Sequence, residues 1–316
     1  MGRALQLVTS LSYWGLAIQP ITKENLIYMF RKKNNLFQNK KAVIATMHKK
    51  EQVIAPILQQ ELKLNIVIPN DFNTDLFGTF TNEIERAGDQ LEAARKKAEK
   101  ALELTGLNIA ISSEGSFGPH PFIPFMAINR ELLLFIDKEN DLEITSYVAN
   151  TNTNFAHQEV RNYEEAYEFA VSKGFPTHGV IIKPYVHTTN SDEIIKGIVT
   201  EEELKEAVVY TLKKSPESFH METDMRAMYN PTRMKNIEIA TIDLVKKINT
   251  ICPVCETPGF EIVERKKGLP CEICHYPTNT TLSIIYHCKK CNYQEEHLYP
   301  DKRQFGDAMY CDVCNP

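Results

Sequence analysis

All eight cysteines of this 316-residue chain lie beyond residue 250, and all eight stand in C-x-x-C pairs: Cys252/Cys255, Cys271/Cys274, Cys288/Cys291 and Cys311/Cys314. Gaps of 15, 13 and 19 residues separate the pairs. Two such knuckles supply four thiolates to one tetrahedral ion, so the spacing predicts two structural four-cysteine zinc sites in a C-terminal zinc-ribbon-like module. Sequential pairing, first knuckle with second and third with fourth, fits the gaps of 15 and 19 residues; interleaved pairing stays open. An iron–sulfur cluster or a redox-active dithiol is the alternative chemistry. His275, His287 and His297 are not expected as ligands, because the cysteines alone fill two sites. Thiols confined to one segment point to metal ligation in a reducing cytoplasm rather than to a secreted disulfide framework.

The charge balance narrows the partners. A formal net charge of −5 gives no general attraction to nucleic acid or anionic membrane. The cysteine-rich tail, 251–316, is itself formally −2. Two zinc ions, each with four thiolates, would take it to about −6, so nucleic-acid binding by the tail is not favoured. No run approaches the ~20 apolar residues that span a bilayer. Residues 1–40 carry an apolar patch behind one arginine and no clear small-residue cleavage site, and read as a poorly ordered leader rather than a signal peptide.

From residue 41 to 250 the pattern alternates. "KKAVIAT", "NIVIP", "LNIAIS", "ELLLFID", "EITSYV" and "GVIIKP" read as strands. "HKKEQVIAPILQQELKL" reads as a helix with Val53, Ile57, Leu58 and Leu62 on one face and Pro56 delaying or bending its start. The clearest helix is "DQLEAARKKAEKALELTG", with Asp89 as cap, Glu92 at the capping-box position and Gly106 as terminator. Further helices follow over "NYEEAYEFAVSKG", over "TEEELKEAVVYTLKKS" capped by Thr200, and over "NPTRMKNIEIATIDLVKKI" with Asn230 as cap and Pro231 at its first position. The expected fold is α/β, a mixed sheet with helices on its faces, with a domain boundary near residue 250 before the cysteine-rich module.

Several charged segments sit where such folds meet ligands. "SSEGSFGPHP", 112–121, follows a strand and places Glu114 and His120 among two glycines and two prolines, at a strand's carboxyl end. Glu114 suits a divalent cation or a base, and His120 suits proton transfer. In "FHMETDMR", His220, Glu222, Asp224 and Arg226 alternate with apolar residues, which on one strand would put all four on one face. Arg233 in the first turn of the next helix adds an anion partner. "ATMHKKE", 45–51, turns from strand to helix and offers Thr46, His48 and Lys50 to a phosphate. "DFNTDLFGTFTNEIER" reads as a loop or lid whose Glu83 and Glu85 suit a hard cation such as Mg²⁺. Each also has a structural reading: a tight turn, an ion-paired edge strand, a capped helix, a solvated loop.

Two resemblances follow from these strings. "GTFTNEIER", "SEGSFGPHP", "ETDMRAMYNPTRM" and "CPVCETPGF…GLPCEICHYPT" together resemble one bacterial family of uncharacterised proteins over most of residues 40–316. That resemblance implies that the α/β part and the cysteine tail are one unit, and it carries no activity. The order "AVIATMHKKEQVIAPIL", "EIERAGDQLEAARKKAEKAL", "LNIAIS" and an acidic glycine turn, over about 41–118, is similar to the inosine triphosphate pyrophosphatase superfamily. That similarity implies hydrolysis of nucleoside triphosphates with Mg²⁺, a phosphate turn at Thr46, His48 and Lys50, metal carboxylates at Glu83 or Glu85 and Glu114, and a helix Lys-Ala at Lys97–Ala98. The chain departs from that pattern: His48 replaces the usual asparagine, Ser112–Ser113 replace an acidic pair, and the closing Ser-His-Arg is missing.

The resulting expectation is a metal-dependent hydrolase of a phosphorylated or nucleotide-like substrate. Glu114 with Glu83 or Glu85, helped by Glu222, would hold Mg²⁺. Lys50, Arg226 and Arg233 would meet anionic oxygens, and His120 or Asp224 would handle the proton. The competing expectation is a non-enzymatic ligand-binding or adaptor protein whose zinc tail docks protein or nucleic acid.

Overall fold

A strand that is apolar on both sides needs cover on both sides, and β1 (Lys41–Ala45) has it. Ala42 and Ile44 face one hydrophobic core while Val43 and Ala45 face another. The computed structural model describes residues 35–69, 72 and 89–316. The leader up to 34 and, apart from Phe72, the expected lid with its Glu83 and Glu85 lie outside the described residues. What is described of the leader is tied down: Phe37 is fully buried, edge-on to Phe135 with ring centroids 5.1 Å apart.

β1 is the second strand of a five-stranded mixed sheet ordered β2-β1-β3-β4-β5, with β2 (Asn65–Val67), β3 (Ile109–Pro119), β4 (Ala127–Asp137) and β5 (Leu142–Asn150). β2, β1 and β3 run parallel; β3, β4 and β5 form an antiparallel meander. Helices α1 (Glu51–Leu62) and α5 (Pro231–Asn249) cover one face. There Ile54, Leu58, Leu62, Ile237, Leu244 and Ile248 pack on Ile44, Ile111, Leu133 and Phe135. Each fully buried Leu, Ile or Phe contributes ~1.5–3 kcal/mol. Helix α2 (Gln90–Thr105) covers the opposite face. Its Ala94, Ala98 and Ala101 stripe is small enough to bring the helix close to Val43, Ala110 and Leu132.

The local signals hold. The Asp89 carboxylate accepts the Glu92 N–H at 2.8 Å, and Gly106, at φ 67°, ends α2 with its N–H on the Leu102 carbonyl at 2.8 Å. Asn230 caps α5 by accepting the Arg233 N–H at 2.9 Å, with Pro231 at the first helical position. α1 starts at Glu51, after a turn in which Lys49 takes φ 58°, and carries Pro56 inside it.

The remaining strands divide off into a second, antiparallel sheet ordered β6-β9-β7-β8, formed by β6 (His157–Val160), β7 (Val180–Lys183), β8 (Ile195–Ile198) and β9 (Phe219–Thr223). α3 (Tyr163–Ser172) and α4 (Glu201–Leu212) cover one face through Phe169, Leu204 and Val208, against Val160, Ile182, Phe219 and Met221. Thr200 and Glu203 close a full capping box at the start of α4. The cysteine-rich part is a three-stranded antiparallel ribbon, β10 (Glu261–Lys267), β11 (Thr281–His287) and β12 (Gln294–Leu298). Asn34–Pro316 holds together as one compact unit.

Two expectations change. "SSEGSFGPHP" is not a loop: residues up to Pro119 belong to β3, paired residue for residue with β4 from Ile109↔Asp137 to Pro119↔Ala127. Its glycines are strand residues, and Gly115 lies directly opposite Glu131. The strand at 219–226 stops at Thr223, because the Asp224 carboxylate turns the chain by accepting the Arg226 N–H at 3.0 Å. His220 and Glu222 therefore share a strand face, and Asp224 and Arg226 leave it.

Candidate functional site

The alternation of β3 sorts its residues. Ser112 and Glu114 face α2; Ser113 and Gly115 face α1 and α5. On the α2 side the Ser112 hydroxyl donates to the Ala94 carbonyl at 2.7 Å. One turn further along α2, the Lys97 ammonium meets the Glu114 carboxylate at 2.5 Å, both side chains being more than nine-tenths buried. On the other side Glu131 of β4 and Arg233 of α5 form a fully buried pair. Arg233 Nε donates at 2.9 Å and Nη2 at 3.4 Å to the two oxygens of Glu131, and Nη1 donates to the Met225 carbonyl at 2.5 Å. Gly115 makes room for this pair: a methyl there would lie 2.4 Å from Arg233 Nη2 and 2.9 Å from the carboxylate oxygens.

Between the two pairs stands Lys50. Its ammonium reaches from the start of α1 to the Ser113 carbonyl at 2.7 Å and the Ser113 hydroxyl at 3.5 Å. Burial, and then the nearby Arg233 charge, lower its pKa to about 7 against the opposing pull of Glu114 and Glu131. Burial, followed by Lys50, Arg233, Arg226 and Lys97, lowers His48 to about 3, so its ring is neutral. The same causes show that the field of Arg226 reaches this cluster. Arg226 is held bidentate by Asp224, Nε on Oδ1 at 3.0 Å and Nη2 on Oδ2 at 2.6 Å, and its guanidinium lies 4.6 Å over the Tyr229 ring. Asp224, fully buried, also accepts the Gly197 N–H at 3.0 Å.

At the entrance of α1 the Gln52 and Val53 N–H groups turn back to the Lys49 and Lys50 carbonyls, both at 3.1 Å. No side chain caps the helix, and its preceding residue is Lys50 itself. Thr46, 6% exposed, has a buried hydroxyl with no hydrogen-bond partner. An uncapped helix N-terminus, an unsatisfied hydroxyl and a buried ammonium at a strand's carboxyl end form a seat for an oxyanion. Glu51, in the helix's first turn, is the acidic exception.

The structure thus brings Thr46, His48, Lys50, Glu114, Asp224, Arg226 and Arg233 into one charged region. It leaves His120 at the tip of the β3–β4 hairpin, where its Nδ1 accepts the Phe122 N–H at 3.2 Å. Glu222 belongs to a different cluster, 3.4 Å from the Lys183 ammonium and 3.9 Å from His220 Nε2. Both described carboxylates proposed for Mg²⁺, Glu114 and Glu222, are therefore already paired with lysines. Among the described residues, the ligand groups gathered closely enough for one ion are the two cysteine sets. The residue reading did not pick out Glu131 or Lys183 as functional. Each is a charge at one end of an apolar run, "ELLLFID" and "VIIK", and a buried charge needs a partner. Lys97, named above only from the superfamily likeness, carries its own mark in sequence: a lysine inside an alanine stripe.

The cysteines gather into two groups of four, Cys252, Cys255, Cys288 and Cys291, and Cys271, Cys274, Cys311 and Cys314, with the first cysteine of each knuckle buried and the second more exposed. The pairing is interleaved, first knuckle with third and second with fourth, which corrects the sequential expectation. The cause is the ribbon: β10 and β11 run antiparallel, so the turn before β10 and the turn after β11 meet at one end, and the other two knuckles meet at the other. Facing sulfurs lie 3.7 and 3.5 Å apart in the first group and 3.8 and 3.5 Å apart in the second. A tetrahedral ion with bonds of ~2.3 Å to sulfur sets its ligands about 3.8 Å apart. All eight are free thiols, and the donor chemistry fits a metal ion in each group.

No helix among the described residues is long and apolar enough to cross a membrane. No curated protein matches the chain, and the likeness to the inosine triphosphate pyrophosphatase superfamily gains no support there. A family model described as a domain of unknown function, DUF6671, matches residues 97–316, from the Lys97 of the buried pair through both cysteine groups, and the chain belongs to that family.

Proposed function

We propose that the α/β unit binds a small phosphorylated, nucleotide-like anion at the entrance of α1 and hydrolyses it in the cytoplasm, with two structural zinc ions in the ribbon. The unpartnered Thr46 hydroxyl beside the uncapped helix and the buried Lys50 carries this reading. Thr46 supplies a neutral donor, the positive end of the helix dipole favours an anion, and Lys50 supplies charge. With a pKa of about 7, Lys50 can also give or take a proton near neutrality, a role that neither Asp224, locked by Arg226, nor His120, at the hairpin tip, is as well placed to fill. Arg233 is spent on Glu131 and Met225 and shapes the site instead of gripping the ligand. Lys97 and Lys183 hold the two described carboxylates expected for Mg²⁺, Glu114 and Glu222. In the ribbon each zinc would cross-link two knuckles, a folding role.

The test is twofold. Binding of inorganic phosphate and pyrophosphate by calorimetry should weaken about tenfold or more in Lys50→Met, the loss of ~1.4 kcal/mol or more expected for a charged contact. Release of phosphate or pyrophosphate from a broad panel of nucleotides and sugar phosphates, with and without Mg²⁺, should be detected and should fall in the same variant. A chain that binds neither anion and turns over nothing in the panel is not this enzyme.

A further inference from the structure

The face of the second sheet that turns away from α3 and α4 carries a polar cluster unused by the anion site. In register, His157 of β6 stands opposite Glu222 of β9, and Glu159 stands opposite His220; β7 adds Ile181 opposite Glu222 and Lys183 opposite His220. Phe219 and Met221, which alternate with these residues, are buried under the helices. His157, His220 and Glu222 therefore share the face turned away from the helices, on which His220 and Lys183 are buried and His157 is exposed.

Their spacing has a chemical meaning. The rings of His157 and His220 are diagonal neighbours on adjacent strands, with centroids 5.4 Å apart. Two imidazoles bound to one ion at ~2.0–2.1 Å in a tetrahedral arrangement have centroids about 5 Å apart. The Glu222 carboxylate, directly opposite His157 and two residues along from His220, lies 3.9 Å from His220 Nε2. His220 is 7% exposed, with Lys183 opposite it on β7. A cation already occupies the neighbourhood: Lys183 Nζ stands 3.4 Å from Glu222, at ion-pair distance but beyond a short hydrogen bond. Glu159 and His187 complete the charged and titratable groups around His220.

We propose that His157, His220 and Glu222 form a two-histidine, one-carboxylate site for a divalent transition metal, with its remaining positions open to water or a ligand. His220 and Glu222 are set on the central strand β9. The three groups are less tightly gathered than the cysteines, and the exposed His157, on the edge strand β6, closes the site by turning its side chain. The Lys183 ammonium then yields its place on Glu222 to the ion.

The experiment uses the full chain without an affinity tag, its cysteine sites filled with zinc, titrated with Ni²⁺ by calorimetry and checked by elemental analysis. One Ni²⁺ per chain is expected beyond the cysteine-bound zinc. It should be lost in His157→Ala and in His220→Ala, and should bind about tenfold more tightly in Lys183→Met, where the competing ammonium is gone. His157 is exposed, so its variant keeps the fold even if the His220 variant does not. No additional equivalent in the native chain, or an equivalent that survives His157→Ala unchanged, overturns the site.

Discussion

Removing Glu131 should destabilise the chain more than most single substitutions. Its carboxylate and the Arg233 guanidinium are both completely inaccessible, joined by bonds of 2.9 and 3.4 Å, and the third contact of the guanidinium is the Met225 carbonyl. Glu131→Ala leaves a buried cation without its counter-charge, on the Met225 carbonyl and the face of the Phe117 ring 5.2 Å away. Breaking a buried pair from one side costs ~3–5 kcal/mol, against a total stability of about 5–15 kcal/mol for a domain. Glu131→Gln keeps the shape and one acceptor and should cost less, about 1–3 kcal/mol. The decisive variant is the double one. Glu131→Ala with Arg233→Met removes the stranded charge, so it should be more stable than Glu131→Ala alone, and the two losses should be strongly non-additive. Urea unfolding followed by circular dichroism reads each midpoint at an unchanged slope. A loss below ~1 kcal/mol for Glu131→Ala, or simple additivity in the double variant, would refute the account of Glu131 and Arg233 as a mutually dependent buried pair.

Three further outcomes follow from the same geometry. Gly115→Ala forces a methyl into the space of Arg233 Nη2 and should cost ~1–3 kcal/mol by the same unfolding measurement, with Arg233→Met relieving most of it. Lys50, depressed to about 7 in the fold, binds a proton more readily when unfolded; between about pH 7 and 10 the unfolded chain therefore holds the extra proton, and stability contributed at this site rises with pH. Wild type should accordingly gain a few kcal/mol at most on Lys50→Met across that range, and parallel pH profiles would exclude it. For the ribbon, elemental analysis should find about two zinc ions per chain; Cys252→Ser with Cys288→Ser should lose one, whereas Cys252→Ser with Cys271→Ser should lose both, the opposite of what sequential pairing requires.

Much of the candidate site was legible before any coordinates. Thr46, His48 and Lys50 stand out because a strand ends and a helix begins within five residues, and that junction is local. Asn230 and Arg233 were equally readable, since a cap and the first turn it serves are three residues apart. What could not be read was which charges had been neutralised. Glu114 looks like a metal ligand until Lys97 is seen against it, and Arg233 looks like an anion clamp until Glu131 is seen, 102 residues away in the chain. Asp224 and Arg226 showed the reverse error: their alternation with apolar residues imitated a strand, when the carboxylate was ending one.

By itself the sequence determined the mixed α/β class, the helix caps, the segregation of eight thiols into four knuckles and the polar turn after β1. These follow from periodicity, capping chemistry and short ligand spacing, all of which act over a few residues. Tertiary structure alone decided that the strands before the ribbon divide into two sheets, that the knuckles pair first with third and second with fourth, and that β3 carries Glu114 and Gly115 through its middle, on opposite faces, one into an ion pair and the other beside a second one. Burial makes an unpartnered charge far costlier than an exposed one, so the partner is chosen by strand order and helix placement, which no local pattern encodes.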